Sequence, residues 1–428
     1  MIHALDVCCG PPHSVRVTAT LIAAPARQGY RAGEPGYRRV CLALFTAGLA
    51  TFALLYSTQA LLPEFAAEFH VTPARSAWSL SLATAGLGVA LLITGPLSER
   101  VGRTRLIHLS LVLSALVGLA CAGSPGWHAL LALRLLQGVT LAGLPAVATA
   151  YLREELHGDT HARAAGLYIG GTALGGMAGR LITGPVAEAY GWRWALAAIA
   201  VLGLVCAAVV GALLPASRNF VARPERAMTR RAFTDPALLA LYAIAACSVG
   251  TFVAVYNAMG FRLTAAPFGL GAGAAGAIFL VLPAGTISST VAGRLADRFG
   301  RRAVVPVGAL LTAAGLLLTL PNRLPAVIAG LAVMTAGFFC THGVASGWVP
   351  VRAHAGGVPP GQAASLYLFA FYAGSSVVGS LAGTAWSLGA WPAVLLLALT
   401  LTAVSGALAT RLRHIPALTP LAPDDVNP

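Results

Sequence analysis

Two arginines lie inside apolar stretches, where a charged side chain is unusual. Arg134 is in the run LALRLLQG, and Arg180 ends the small-residue run GGTALGGMAGR. A guanidinium at the centre of a membrane helix costs roughly 2.5–3.5 kcal/mol or more, so it usually faces a cavity or a partner. None of the fourteen acidic residues falls well inside a predicted helix. Neither arginine therefore has an evident buried counter-ion.

This imbalance has two interpretations. In the first, the substrate brings the negative charge, as a carboxylate or phosphate held by the guanidinium groups. In the second, Glu64 bends inward from the outer end of the first helix, pairs with an arginine and carries the proton. We favour the anionic or strongly polar substrate and keep Arg134 and Glu64 as candidates for proton coupling. A structural role for Arg134, hydrogen bonding to helix-end carbonyls, is the alternative.

Polar and aromatic residues of other helices are candidates for lining the same cavity, although each alone is more often a packing residue. At about 1.5 Å rise per residue, both arginines lie about 10 Å inward from the outer helix ends, level with Tyr56 and Gln59. The candidate substrate-binding residues are Tyr56, Gln59, Arg134, Gln137, Arg180, Tyr256, Asn257, His342 and Tyr372.

The sequence lacks the parts of an enzyme site. It contains no His/Asp/Glu metal cluster, no G-x-S-x-G, no P-loop and no nucleotide-binding domain. Its seven cysteines include no C-x-x-C pair, and five of them lie in apolar runs, which is typical of packing residues. We therefore expect no enzyme activity, no cofactor and no metal.

The elements that position these residues follow from composition. Of 428 residues, 57% are hydrophobic and only 10% are charged, where soluble chains have about 25% charged residues. The apolar residues form blocks of about 20, enough for a helix to cross roughly 30 Å of hydrocarbon. Because backbone groups in lipid must pair within their own segment, we expect an all-α membrane protein.

Apolar blocks between charged or Gly/Pro-rich breaks predict about twelve transmembrane helices. The first six are near Val40–Leu62, Trp78–Leu97, Leu106–Ala122, Trp127–Tyr151, Ala164–Ala187 and Trp192–Leu214. The next six are near Ala237–Met259, Gly271–Ala292, Ala303–Leu320, Pro325–Trp348, Ala363–Leu388 and Trp391–Ala409.

The formal charge of +14 could indicate nucleic-acid binding, but the placement of the basic residues argues against it. All 28 are arginines. With these helices, 22 fall on one side of the membrane, four on the other and two inside helices. This is the positive-inside pattern, which predicts that both termini are cytoplasmic.

The sequence divides into two related halves. GPLSERVGRTR from Gly95 matches GRLADRFGRRA from Gly293, and RAAGLY from Arg163 matches QAASLY from Gln362. Such repeats are expected of transporters. The predicted regions are a disordered cytoplasmic extension (1–39), a first six-helix half (40–214), a cytoplasmic linker (215–236), a second half (237–410) and a cytoplasmic tail (411–428).

The repeated loop resembles the signature between the second and third helices of the major facilitator superfamily, G-x-L-[AS]-[DE]-R-x-G-R-[KR]. The resemblance extends from about Val40 to Ala409 and implies that family's fold of two six-helix pseudo-repeats. In each copy, the first glycine is expected to allow close helix approach and the second a tight turn.

The resemblance also implies that the loop is a conformational latch, whose charges pair with a neighbouring helix end in one state and release it in another. Glu154 and Glu155, at the end of the fourth helix, are the expected acidic partners. The second copy has no such partner, since VPVRAHAGG after the tenth helix contains no carboxylate. The predicted latch residues are Gly95, Glu99, Arg100, Gly102, Arg103, Glu154, Glu155, Gly293, Asp297, Arg298, Gly300 and Arg301.

Two further patterns resemble the family's helices. Arg134, Gln137 and Gly138 match R-x-x-Q-G of the fourth helix, implicated in substrate binding and proton coupling. The run from Gly170 to Arg180 is similar to the antiporter motif of drug-efflux members, but Gly176 replaces its proline. The whole chain most resembles the bacterial inner-membrane transport protein or arabinose-efflux-like permease subgroup.

The predicted function is a secondary active transporter that moves a small solute by alternating access, as a proton-coupled exporter of a drug, sugar or organic anion. A uniporter or importer of a small anion, a channel, and a non-transporting sensor of the same fold are the alternatives. Expected partners are a small-molecule substrate, protons if transport is coupled, and the lipid bilayer, with no nucleic acid. We expect a monomer, multi-pass in the bacterial inner membrane.

Overall fold

A computed structural model describes residues 29–220, 228–416 and 418. In this part of the chain, ten helical segments are long and apolar enough to cross a membrane. One of them, Pro360–Arg411, is two helices divided where Gly389 and Ala390 leave helical φ and ψ. With the glycine-rich helix His161–Tyr190, the described residues form twelve membrane helices. The predicted fold class is confirmed.

The helices are numbered in chain order, and each loop reverses the chain. They are α1 Pro35–Glu68, α2 Pro73–Val101, α3 Arg103–Ala122, α4 Trp127–Glu155, α5 His161–Tyr190, α6 Trp192–Leu213, α7 Pro236–Thr264, α8 Ala272–Phe299, α9 Arg301–Leu318, α10 Leu324–Ala355, α11 360–388 and α12 391–411. Helices α1, α4 and α8 are interrupted near Ser57, Ala142 and Leu282.

Most helices extend beyond their predicted ends. Helix α2 begins at Pro73 instead of Trp78, and α10 ends at Ala355 instead of Trp348. The apolar pattern reports only the lipid-embedded part of a helix, whereas polar terminal turns continue until a proline or glycine ends them. Of the predicted N-terminal extension, residues 1–28 lie outside the described residues. Tyr30 pairs with the end of α4, donating its N–H to the Glu155 carbonyl.

The chain has two faces, defined here by its helix ends. The terminal face holds the start of α1 and the end of α12, and the distal face holds the α1–α2 and α7–α8 loops. At the terminal face, the tight turns after α2 and α8 use Gly102 and Gly300, with φ of +91° and +84°. An L side chain rarely adopts these values, so glycine is required there.

Small residues bring helices together, but not all the predicted ones. A side chain added at Gly171, Gly175 or Gly179 of α5 would collide with the backbone of α1. By contrast, the space beside Gly95 and Gly293 is open. The prediction that these two glycines allow close helix approach is therefore wrong for this conformation. Both lie near the terminal ends of α2 and α8, where those helices face away from close neighbours.

The first six helices and the last six touch mainly toward the distal face. There, Gly184 of α5 backs onto Ala272 of α8, and Gly383 of α11 backs onto Ala74 of α2. Nearer the terminal face, nothing lies within 4 Å of a side chain added at Gly166, on α5. Within the described residues, these backbone contacts between the two sets of helices lie on the distal side.

Candidate functional site

The interruption of α1 leaves backbone carbonyls without their usual helical N–H donors, and Arg134 donates hydrogen bonds to them. Regular helix ends at Tyr56, and Pro63 stands in the first turn of the following short helix. The carbonyls of Leu54 and Leu55 therefore need partners other than the usual backbone N–H. The Arg134 guanidinium donates to them at 3.1 and 2.7 Å.

Arg134 uses every N–H that it has. Besides the two α1 carbonyls, it donates to the Ser79 carbonyl, the Gln137 amide oxygen and the Thr58 hydroxyl. Its side chain is fully buried. Gln137 in turn donates to the Ser114 carbonyl of α3 at 3.0 Å. In this conformation, both residues join helices of the first set, and Arg134 has no donor left for a solute.

Arg180 is placed differently, at the junction between the two sets of helices. Its Nε donates to the Gln59 amide oxygen at 2.6 Å, and its Nη1 to the Gly176 carbonyl at 2.6 Å. The guanidinium carbon lies 4.0 Å from the Tyr56 ring centre and 5.0 Å from that of Phe279, in α8. Its Nη2 makes no hydrogen bond within the described part of the chain. Arg180 is 3% exposed, so its charge is buried, and no carboxylate of a described residue pairs with it.

A chain of amides continues from Arg180 into the second set. Gln59 Nε2 donates to Asn257 Oδ1 of α7 at 2.7 Å, and Asn257 Nδ2 donates to the Gly379 carbonyl of α11 at 3.2 Å. Gln59 and Asn257 are nearly fully buried. One connected network therefore joins α5, α1, α7 and α11 just inside the distal face.

A carboxylate adds a second connection at the distal face itself. Glu188, near the end of α5, accepts a hydrogen bond of 2.6 Å from the N–H of Gly273 at the start of α8. Between this contact and the amides lies a cavity of about 30 Å³ beside Gln59, Glu64 and Tyr256.

Glu64 reaches neither buried arginine. Its carboxylate accepts a hydrogen bond of 2.9 Å from the N–H of Trp192, at the first residue of α6. In this conformation, the pairing considered from the sequence is absent, since the salt bridges between described residues do not include Glu64. A carboxylate at a helix N-terminus is favourably placed on electrostatic grounds alone.

The second set contributes an aromatic wall. The Tyr256 hydroxyl lies 2.8 Å from that of Thr335, and the His342 ring nitrogen lies 3.0 Å from the Tyr367 hydroxyl. Phe338 stacks on His342 with ring centres 5.6 Å apart. Tyr372 is buried and lies against Gly88 of α2. Sequence reasoning missed Phe279 and Phe338, because single phenylalanines in apolar helices carry no distinguishing signal.

The first copy of the loop signature is a compact charge cluster. Arg103 donates to Glu99 at 2.6 Å and to Glu154, at the end of α4, at 3.0 Å, and it also contacts the Ser98 hydroxyl. Its side chain is only 8% exposed. Glu155 accepts instead from the backbone N–H groups that follow α6, at Arg218 and Asn219. Arg100 is exposed.

The second copy has a different arrangement. Asp297 and Arg301 make no ion pair or hydrogen bond with any described residue, and Arg298 lies over the Phe299 ring. The nearby ion pair joins Arg352, near the end of α10, to Asp235 at 2.8 Å.

Asp235 also caps α7, accepting from the N–H groups of Ala237 and Leu238 at 2.9 Å. Burial raises the pKa of the Asp235 carboxyl. The hydrogen bonds from Arg352 and from the two backbone N–H groups outweigh that effect, and the pKa lies below its usual value. Sequence reasoning missed this pair because it looked for a carboxylate only after α10.

Comparison with known proteins agrees with this architecture. Residues 40–291 match the family described as Major Facilitator Superfamily. The uncharacterized MFS-type transporter YybF of Bacillus subtilis (strain 168) is 40% identical over 363 residues, which cover 83% of this chain and 89% of that protein. The inner membrane transport protein YnfM of Escherichia coli (strain K12) is 39% identical over 372 residues, covering 86% and 88%.

Solved transporters share the fold. A bacterial homolog of the human lysosomal transporter Spinster, in an inward-facing and occupied conformation, superposes with a TM-score of 0.67 at 16% identity, covering 89% of this chain and 95% of that one. The nucleoside transporter NupG gives 0.65 at 14% identity, covering 88% and 99%. Among the described residues, no group of three His, Cys, Asp or Glu side chains is placed to hold a metal ion.

Proposed function

The chain belongs to the major facilitator superfamily of membrane transporters, and from that membership we propose that it is a proton-coupled secondary transporter that exports a small organic anion by alternating access. The single observation that carries the choice of an anion is Arg180. Its charge is buried between the two sets of helices, contacts both, and has no carboxylate partner among the described residues. An uncompensated buried cation is costly, and an anionic solute would compensate it.

The proposed orientation follows the arginine bias: the terminal face, both termini and the 215–236 linker are cytoplasmic. The 40–214 and 237–410 halves then rock about the site, and the present conformation faces inward. In this scheme, the anion enters from the cytoplasmic side, where the sets part. It binds the free Nη2 of Arg180 against the aromatic rings of Tyr56 and Phe279.

Opening of the distal side requires breaking the Gln59–Asn257 and Glu188–Gly273 hydrogen bonds. A carboxylate that binds Nη2 and also reaches Nε of Arg180 would compete with Gln59 for the Nε–H and so weaken this connection. Binding is thereby tied to opening, as a substrate that binds one state better shifts the population toward it. Glu64 and Glu188 are the carboxyl groups described near this region, and we propose that one of them carries the proton.

The test is transport in proteoliposomes with an imposed pH gradient, using three probes of similar size: benzoate, benzamide and benzylamine. We expect saturable transport of the anion only, and a loss of at least about tenfold in Arg180→Gln, since a charge-assisted hydrogen bond contributes about 1.5–3 kcal/mol. Arg75→Gln, which removes an exposed arginine of α2, is the matched control and should retain the wild-type rate.

Preferential transport of the amine or the amide, or an Arg180→Gln variant as active as the control, would contradict the anion assignment. Unchanged rates with and without the pH gradient would contradict proton coupling alone.

A further inference from the structure

The outer surface of the second set carries a groove that the transport site does not use. It has a volume of about 580 Å³ and lies between α8 and α9, over α10. Its walls are the aliphatic side chains of Ile287, Val291 and Leu295 on α8 and of Val307 and Leu311 on α9. These side chains are between 38% and 67% exposed in the isolated chain, so they face the hydrocarbon of the bilayer.

Small residues make the floor of the groove. Ala292, Ala336 and Cys340 line it where larger residues would fill the space. The hydroxyl of Ser288, the polar residue in the lining, is already hydrogen-bonded within the protein, since it donates to the Ala336 carbonyl at 2.6 Å. The groove is therefore apolar along its length and suits a hydrocarbon chain.

Cations surround the terminal end of the same groove. Phe299 and Ala303, which line it there, belong to the second copy of the loop signature. Arg294 and Arg298 follow Val291 and Leu295 at helical spacing on α8, so they share the groove's side of that helix.

Arg301 begins α9 at this end of the groove. Neither Arg294, Arg298 nor Arg301 has a carboxylate partner among the described residues. Asp297 is the acidic group of this loop, and it forms no ion pair with the described chain.

In the first copy of the loop, the corresponding arginine has a carboxylate partner. Arg103, at the position of Arg301, is neutralised by Glu154 from the end of α4. The corresponding position at the end of α10 is Ala353, since Arg163 and Gln362 begin matching segments nine residues later. Arg352, the residue before Ala353, forms its ion pair with Asp235. Among the described residues, the second loop therefore has no carboxylate at the position that Glu154 occupies beside the first loop.

We propose that this groove and loop bind one anionic phospholipid, with an acyl chain in the groove and the headgroup phosphate between Arg298 and Arg301. The phosphate supplies the negative charge that Glu154 supplies in the first half. Arginines beside a membrane surface attract anionic headgroups, and guanidinium groups match phosphate geometry. This site is separate from the proposed transport site, so either assignment can fail alone.

The experiment is native mass spectrometry of the purified full chain after equilibration with phosphatidylglycerol or phosphatidylcholine of identical acyl chains. We expect one phosphatidylglycerol to be retained in preference to phosphatidylcholine. The double variant Arg298→Gln/Arg301→Gln should bind it roughly thirtyfold more weakly, the ratio expected when two arginines lose their usual attraction to an anionic lipid. Arg230→Gln/Arg231→Gln removes two exposed arginines of the same face and should bind like the wild type.

A third variant tests the groove itself. Ala336→Phe fills the floor without changing a charge, and it should lower retention of phosphatidylglycerol while thermal stability is maintained. Equal retention of the two lipids, equal losses in both double arginine variants, or full competition by glycerol phosphate without acyl chains would each overturn the proposal.

Discussion

The two copies of the loop signature have nearly the same sequence but different surroundings. In the first, Arg103 is 8% exposed and holds Glu99 and Glu154 together at three helix ends. In the second, Arg301 has no protein partner within the described residues, and the buried ion pair has moved to Asp235 and Arg352. The loop sequence alone therefore does not determine how strongly its arginine stabilises the protein. That contribution depends on the residue that the neighbouring helix places beside the arginine, Glu154 in one half and Ala353 in the other.

The largest effect in this comparison is expected from Arg103→Gln. Removing the cation leaves two carboxylates close together and partly buried, so we expect a loss of about 2–3 kcal/mol, below the value for a fully buried pair because both glutamates are partly exposed. Transport should slow as well, since the loop links helices that must move. Thermal unfolding in detergent, monitored by a thiol-reactive dye, measures the first effect. An unchanged unfolding temperature would show that the cluster is only a surface pair.

The next effect is that of Asp235→Ala, which removes a helix cap and an ion-pair partner at once. We expect a loss of about 2 kcal/mol, at the upper end of the range for N-cap replacement. Asp235→Asn separates the two contributions, because asparagine caps a helix about as well as aspartate but cannot pair with Arg352. If Asn and Ala destabilise equally, the ion pair accounts for the loss and the cap does not.

The Asp235 carboxyl predicts that the stability of the second half depends on pH. The first half has no such dependence at the corresponding position. The pKa of Asp235 in the folded protein lies below the usual 3.8, so its contribution is fully present above the unfolded pKa and is lost as the pH falls through the folded pKa. Between about pH 5 and pH 3, the wild type should therefore lose more stability than Asp235→Asn. Parallel curves for the two proteins in that range would contradict the shift.

The smallest effect is expected from Arg301→Gln, the exact counterpart in position of the Arg103 change. Because Arg301 has no side-chain partner among the described residues to lose, the unfolding temperature of the variant in lipid-free detergent should correspond to a change within about 0.5 kcal/mol. Added phosphatidylglycerol should stabilise the wild type more than this variant. A large loss without lipid would mean that the two loops are energetically alike after all.

The fold was predictable because each of its signals is local. The length of an apolar run and the side of the membrane on which arginines fall both depend on the transfer free energies of single segments. These two signals predicted about twelve helices. The predicted helix ends were less accurate, because a polar terminal turn has a similar free energy whether it is helical or not. Arg134 was identified as a buried arginine, and the structural alternative considered for it matches its position, with all five donors used by helices of one half.

The sequence by itself determined the class of protein, the number of helices, the repeat and the two arginines that need an explanation. Only the tertiary structure showed that Arg134 has all its donors in use while Arg180 keeps one free among the described residues. Arg180 reaches Gln59, 121 positions away, and Gln59 reaches Asn257, 198 positions away. No local pattern encodes such pairings, because their free energy depends on how the halves pack. The same is true of Arg301, whose charge is unpaired among the described residues because α10 carries Ala353 where α4 carries Glu154.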